Sequence, residues 1–279
     1  MTQASSLTMA SDGLPARSVG NWSNEKLFYL RRYCEIFNRG MQYHWSTRVY
    51  IDLFAGPGRC VIRGTGEEID GSPVIAASCM PGFSHLFVND LDPEAIGSLL
   101  SRLHGRTAAE VYDLNQDCNA AAMSISRDLD RLSPSSQLSV CFIDPTNWQI
   151  HFESVAALAQ GRRMDLIVVF QIGQMKRALR SKSLDISLFF GDDLADPEWY
   201  RLYEQNGLRA RGLTRIFLDH YRRRLDGLGY AEYHDEVSVE YNNDGVPLYH
   251  MLFASKHSRG TDFWRKISGR QHDGQMRLL

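Results

Sequence analysis

The stretch RVYIDLFAGPGRC, Arg48–Cys60, decides the fold. Its first half is a run of β-branched and aromatic residues that favours extended chain, and it ends in an acid, Asp52. Its second half sets Gly56 and Gly58 around Pro57. Glycine has no Cβ, so it accepts positive φ and lets another group lie against the backbone. The pattern predicts a buried strand that ends in a bare turn, and it raises the question of what the bare backbone accommodates.

Outward from this stretch the pattern repeats. Upstream, NWSNEKLFYLRRYCEIF spaces Leu27, Leu30, Cys34 and Phe37 as on one helix face, with Ser23 as the expected N-cap. Downstream, DGSPVIAAS offers Ser72 as N-cap and Pro73 at the first helical position. SHLFVNDLD is a second strand, EAIGSLLSRL a helix, AEVYDLNQD a third strand and CNAAAMSISRDLDRL another helix. QLSVCFIDP and MDLIVVFQI are continuous apolar runs, as expected of parallel strands covered on both faces. A mostly helical insertion follows over about 175–228. EVSVEY, the turn NNDG and VPLYHMLFASK then close the chain as a hairpin. Alternating strands and helices predict an α/β, doubly wound Rossmann-like sheet, mostly parallel with a reversed final strand. Residues 1–20 read as a flexible tail, and 21–279 as a single domain.

Composition excludes some partners and names none. The 279 residues are 43% hydrophobic, enough for a sizeable core, and the formal charge of -2 gives no global attraction to nucleic acid. The five cysteines form no CxxC pair and no zinc spacing, which fits reduced thiols in a cytoplasmic protein. No membrane-length apolar run is present, and the absence of G-x-x-x-x-G-K-[ST] removes the usual P-loop reading.

Ligands of open α/β sheets bind beyond the carboxyl ends of the strands, so the residues that end each run are the site candidates. After the first strand these are Asp52, Phe54, Gly56 and Gly58. The set resembles the cofactor loop of S-adenosyl-L-methionine (SAM) methyltransferases, in the D-x-F-x-G-x-G variant of amine-directed enzymes. The resemblance implies a class I methyltransferase sheet with SAM as cofactor. It implies Asp90 as acceptor for the ribose hydroxyls, with Asp92 as the substitute, and Asp117 as reader of the adenine amino group. An aspartate directly before a helix is equally a capping residue, and both readings stand for Asp117. The insertion RCVIRGTGEEIDG, 59–71, is either a lid or a surface loop.

At the fourth strand, FIDPTNW places Asp144, Pro145 and Trp148 where amine methyltransferases carry an Asp/Asn-Pro-Pro-aromatic motif. The resemblance makes Asp144 and the Pro145 carbonyl acceptors for an amine, and Trp148 a stacking residue. Thr146 replaces the second proline, and the aromatic comes two residues late. More of the chain, roughly 21 to 268, resembles the three-Cys-motif partner (TcmP) proteins through NWSNEKLFYLRRY, YIDLFAGPGR, DGSP, DLDP, FIDP and YHMLFASKH. That resemblance implies a methyltransferase-like fold and a three-Cys-motif, radical-SAM-like protein partner. A nucleic acid base is the acceptor expected, and a non-catalytic partner module is the rival. Lys26 reads as a solvated helix residue, and Lys176, Arg177, Arg180 and Lys182 as either a phosphate-facing cluster or a solvated face.

Overall fold

The computed structural model describes residues 7–132, 136–171, 183–206, 210–241 and 247–269. In chain order the strands are β1 (Leu7–Met9), β2 (Pro15–Val19), β3 (Thr47–Asp52), β4 (Arg59–Ile62), β5 (Glu68–Asp70), β6 (His85–Asn89), β7 (Glu110–Leu114), β8 (Gln137–Ile143), β9 (Met164–Phe170), β10 (Glu232–Tyr241) and β11 (Pro247–Ser255). The helices are α1 (Trp22–Met41), α2 (Ser72–Ala77), α3 (Pro93–Leu103), α4 (Cys118–Arg131), α5 (Phe152–Ala159), α6 (Leu184–Phe190), α7 (Glu198–Asn206), α8 (Ala210–Asp226) and α9 (Ser258–Ser268). The cluster from Lys176 to Lys182 and the NNDG turn, 242–245, lie outside the described residues.

Seven strands form the main sheet in the order β10-β11-β9-β8-β3-β6-β7. β3, β6, β7, β8 and β9 are parallel, and β11 runs antiparallel to both β9 and β10. The expected doubly wound sheet with a reversed strand is therefore present. Every residue of β9 is buried, because helices cover both faces. On one face α1 lays Leu27, Leu30, Cys34 and Phe37 against Tyr50, Val140 and Phe253, joined by Trp264 of α9. On the other, α4, α5 and the helices α6–α8 pack on Val49, Ile51 and Leu166. The described part of the helical insertion, Leu184 to Asp226, thus supplies core aromatics such as Phe189, Trp199 and Tyr221. Among the described residues no helix is long and apolar enough to cross a membrane.

Three local expectations shift. α1 begins at Trp22 with Asn21 as N-cap, so Ser23 lies inside the first turn. Gly71, not Ser72, caps α2. The larger correction concerns the tail. Residues 7–9 and 15–19 are strands, and with β4 and β5 they form a second sheet in the order β1-β2-β4-β5. β2 pairs in parallel with β4, Arg17 opposite Cys60. The segment 59–71 is therefore neither a free lid nor a loose loop, because the chain's own N-terminal hairpin is its partner. Arg102, in the last turn of α3, fastens that hairpin. Its five N–H donors are all used, on both oxygens of Asp12 (2.8 and 2.7 Å) and on the carbonyls of Leu14 (3.2 Å), Pro15 (2.6 Å) and Pro57 (2.6 Å).

Candidate functional site

From β3 the chain winds outward to β6 and β7 on one side and to β8 and β9 on the other. The crevice beyond the carboxyl ends of β3 and β8 is thus the topological switch point where such sheets bind ligands. A cavity of about 800 Å³ opens there, within the size range of cofactor sites. Phe54, Gly56, Gly58, Asp144 and Pro145 line it, so five of the nine expected site residues share one space.

The turn is built as the sequence requires. Gly56 and Gly58 have φ of 60° and 79°, where a side chain is strained. A Cβ on Gly58 would lie 2.8 Å from Leu99 Cδ1 and 3.0 Å from Val74 Cγ2, so its bareness serves helix packing. A Cβ on Gly56 would lie 3.3 to 3.4 Å from the Arg17 guanidinium. The bare backbone therefore accommodates, in this structure, a side chain from β2.

Asp52 lies wholly buried under the turn and does not line the cavity. It accepts hydrogen bonds from Phe54 N (3.1 Å) and Tyr50 Oη (3.0 Å). Burial pushes its carboxyl up to about 6, and the bonds from Ser72, Phe54 and Tyr50 hold the rise back. Asp52 is a scaffold of the turn rather than a cavity contact. Asp90 directly follows β6 beside the turn, behind Arg17 and outside the residues that line the cavity; its Oδ2 accepts from Gly56 N (2.8 Å) and Arg17 Nη2 (3.0 Å), and its Oδ1 accepts from Asp92 N (3.1 Å). Asp92 caps α3 through Glu94 N.

Two expected residues stand elsewhere. Asp117 is exposed and caps α4, accepting from Asn119 N (2.9 Å) and Ala120 N (3.4 Å), so the structure realises the capping alternative. Trp148 is buried against Phe189 in an edge contact at 4.8 Å. The two-residue displacement of the aromatic carries it into the core, so it presents no face for stacking. Conversely, Lys26 is not solvated. It projects from α1 into the cavity and forms an ion pair with Asp144, both side chains about 15% exposed. Its ammonium also stands 5.9 Å from the Tyr249 ring centre. A lysine on an amphipathic helix reads as solvated because the carboxylate that holds it is 118 residues away and leaves no local trace.

No protein-family model matches this chain, and no curated protein matches it. Solved structures do. Protein LPL1258 from Legionella pneumophila superposes with a TM-score of 0.54 at 10% identity, over 90% of this chain and 91% of that one. Trm1 from Pyrococcus horikoshii, solved in complex with S-adenosyl-L-methionine, does so with 0.50 at 11% identity, over 92% of this chain and 61% of that one. What is shared at these identities is the fold, a Rossmann-like α/β sheet that is mostly parallel.

Proposed function

We propose that this protein is a SAM-dependent methyltransferase. The observation that carries the reading is the placing of a positive-φ glycine turn and a strand-end carboxylate, Asp144, on one cavity at the switch point of a methyltransferase sheet. SAM fits that frame in volume and in the bare turn, with Gly56, Gly58 and Phe54 under the methionine part and Asp90 toward the ribose. When bound, it supplies an electrophilic methyl group. The task left to the protein is orientation. Asp144 and the Pro145 carbonyl accept the N–H bonds of a planar amine and so aim its lone pair, a positioning effect that commonly contributes about 10²-fold or more. Lys26 holds the Asp144 carboxylate until an acceptor amine takes its place. An amine of a nucleic acid base is the acceptor we propose, and a TcmP-like role beside a three-Cys-motif, radical-SAM-like protein in the cytoplasm is the setting.

A second reading is favoured by one specific observation. Both functional carboxylates are already engaged by cations of the chain, Asp90 by Arg17 and Asp144 by Lys26. A protein that only senses SAM, or only serves its partner, would tolerate this. One assay separates the two. Wild type and Asp144→Asn are incubated with methyl-labelled SAM, the partner protein, and cellular RNA, DNA and protein fractions. The enzyme reading expects label from wild type and about 100-fold less from the variant, at SAM affinities within a few fold. Tight SAM binding with no labelled fraction under any condition replaces it with the partner module.

A further inference from the structure

We infer that Arg17 competes with the ribose for Asp90, so that the N-terminal strand β2 sets the affinity for the nucleoside part of the cofactor. The inference rests on the SAM reading and deepens it. Its basis is the acceptor capacity of one carboxylate, which offers roughly four hydrogen-bonding positions. Gly56 N, Asp92 N and Arg17 Nη2 already use three. The two backbone donors belong to the turn and to the start of α3 and stay in place. One position is open, while a ribose diol needs two. Arg17 holds the second.

The same guanidinium also covers the bare backbone of Gly56, since it lies 3.3 to 3.4 Å from the position of an added Cβ. It thus stands on both features that a nucleoside cofactor would use. Its present seat is incompletely satisfied, because Nε is buried without a hydrogen-bond partner among the described residues, and a buried unpaired donor is unfavourable. The side chain is 22% exposed and lines the cavity, so it has room to leave. β2 does not depend on it. The strand is held by its ladder with β4 and by Arg102 on the carbonyls of Leu14 and Pro15. Arg17 can swing away without unseating the strand.

The test is calorimetric titration of wild type, Arg17→Met and Arg17→Lys with adenosine, 2′-deoxyadenosine and SAM. Methionine keeps the apolar stem and removes the guanidinium. Lysine keeps a charge and guards against loss of the strand. Arg17→Met should bind adenosine roughly tenfold more tightly than wild type, by one added charge-assisted hydrogen bond, with Arg17→Lys in between. 2′-Deoxyadenosine needs only the position that is already open, so its affinity should not change. Equal or weaker adenosine binding in Arg17→Met overturns the inference, as does an equal gain for both nucleosides, which would signal general loosening. If SAM binds wild type and variants alike, only the inference falls. If none of the three proteins binds SAM or adenosine, the cofactor reading falls with it.

Discussion

The seven-stranded sheet and the four-stranded sheet meet at the glycine turn, yet different forces hold them. In the large sheet β9 is buried from end to end, and helices press aliphatic and aromatic side chains on both faces. Burial at about 25 cal/mol per Å² of apolar surface accounts for such an element without any single decisive contact. The small sheet has strands of three to five residues with few buried positions. It is joined by polar contacts: Arg102 on Asp12, Arg59 on Glu68 and Asp70, and Ser11 N and Oγ on Glu68 at 2.6 and 2.8 Å. The lesson is that one chain can build its scaffold by area and close its site by a few charged groups, which makes the closure selectively breakable.

Arg102→Ala should break it most. The change leaves the partly exposed Asp12 carboxylate and the carbonyls of Leu14, Pro15 and Pro57 without their donor, and a buried acceptor left unsatisfied costs about 1–3 kcal/mol. Hydrogen exchange should accelerate in residues 7–19 and 59–70 while β8 and β9 stay protected. Equal acceleration in β8 and β9 would show that the two sheets unfold as one.

A second difference is the sign of the pH response. Asp52 and Asp165, both buried in the large sheet, are raised to about 6, chiefly by burial. Their folded forms bind a proton more tightly than the unfolded chain, whose carboxylates titrate near 3.9. The large sheet therefore gains stability as pH falls from about 6 to about 4, and loses it on the way back. Asp12, in the small sheet, is lowered to about 2 by its hydrogen bonds with Arg102. Its contribution is complete above the unfolded value and is lost as pH falls from about 4 to 2. Asp52→Asn should flatten the large sheet's slope, by on the order of 2 kcal/mol between pH 4 and 7, in denaturant midpoints. An unchanged slope would place its origin elsewhere, first at Asp165.

Glu68→Gln should have the smallest effect. The pair to Arg59 is long at 3.5 Å and about one-fifth exposed, a setting worth about 0.5 kcal/mol, and the glutamine Oε1 still accepts from Ser11 N. A melting change beyond that of a surface substitution would mean that the small sheet depends on more than Arg102.

The same contrast explains what could be read in advance. β3, β8 and β9 were legible because their apolar runs are continuous, and Gly56 and Gly58 because positive φ restricts the residue type. PARSV and EID are too short to show the alternation that marks a strand, and the parallel partner of PARSV, β4, comes only after α1 and β3. Arg102, near a helix end, looks like an ordinary dipole partner. Lys26 and Arg17 were illegible as site residues for the same reason, since each is defined by a carboxylate brought close only by the fold. Trp148 misled because the aromatic, coming two residues later than in the motif, packs into the core against Phe189 of the helical insertion.

The parallel pairing of β2 with β4 also orders events in time. The ladder sets Arg17 beside Cys60, and the chain between them must first lay down α1 and β3. The β1–β2 hairpin therefore has no ladder to the rest of the fold until β4 follows, and no clamp until Arg102 arrives with α3. Non-local pairings of this kind form late, once the intervening loop has been closed by other contacts. Strands made before α1 are thus among the last to lock, and one wall of the cavity waits for segments that follow it in the chain.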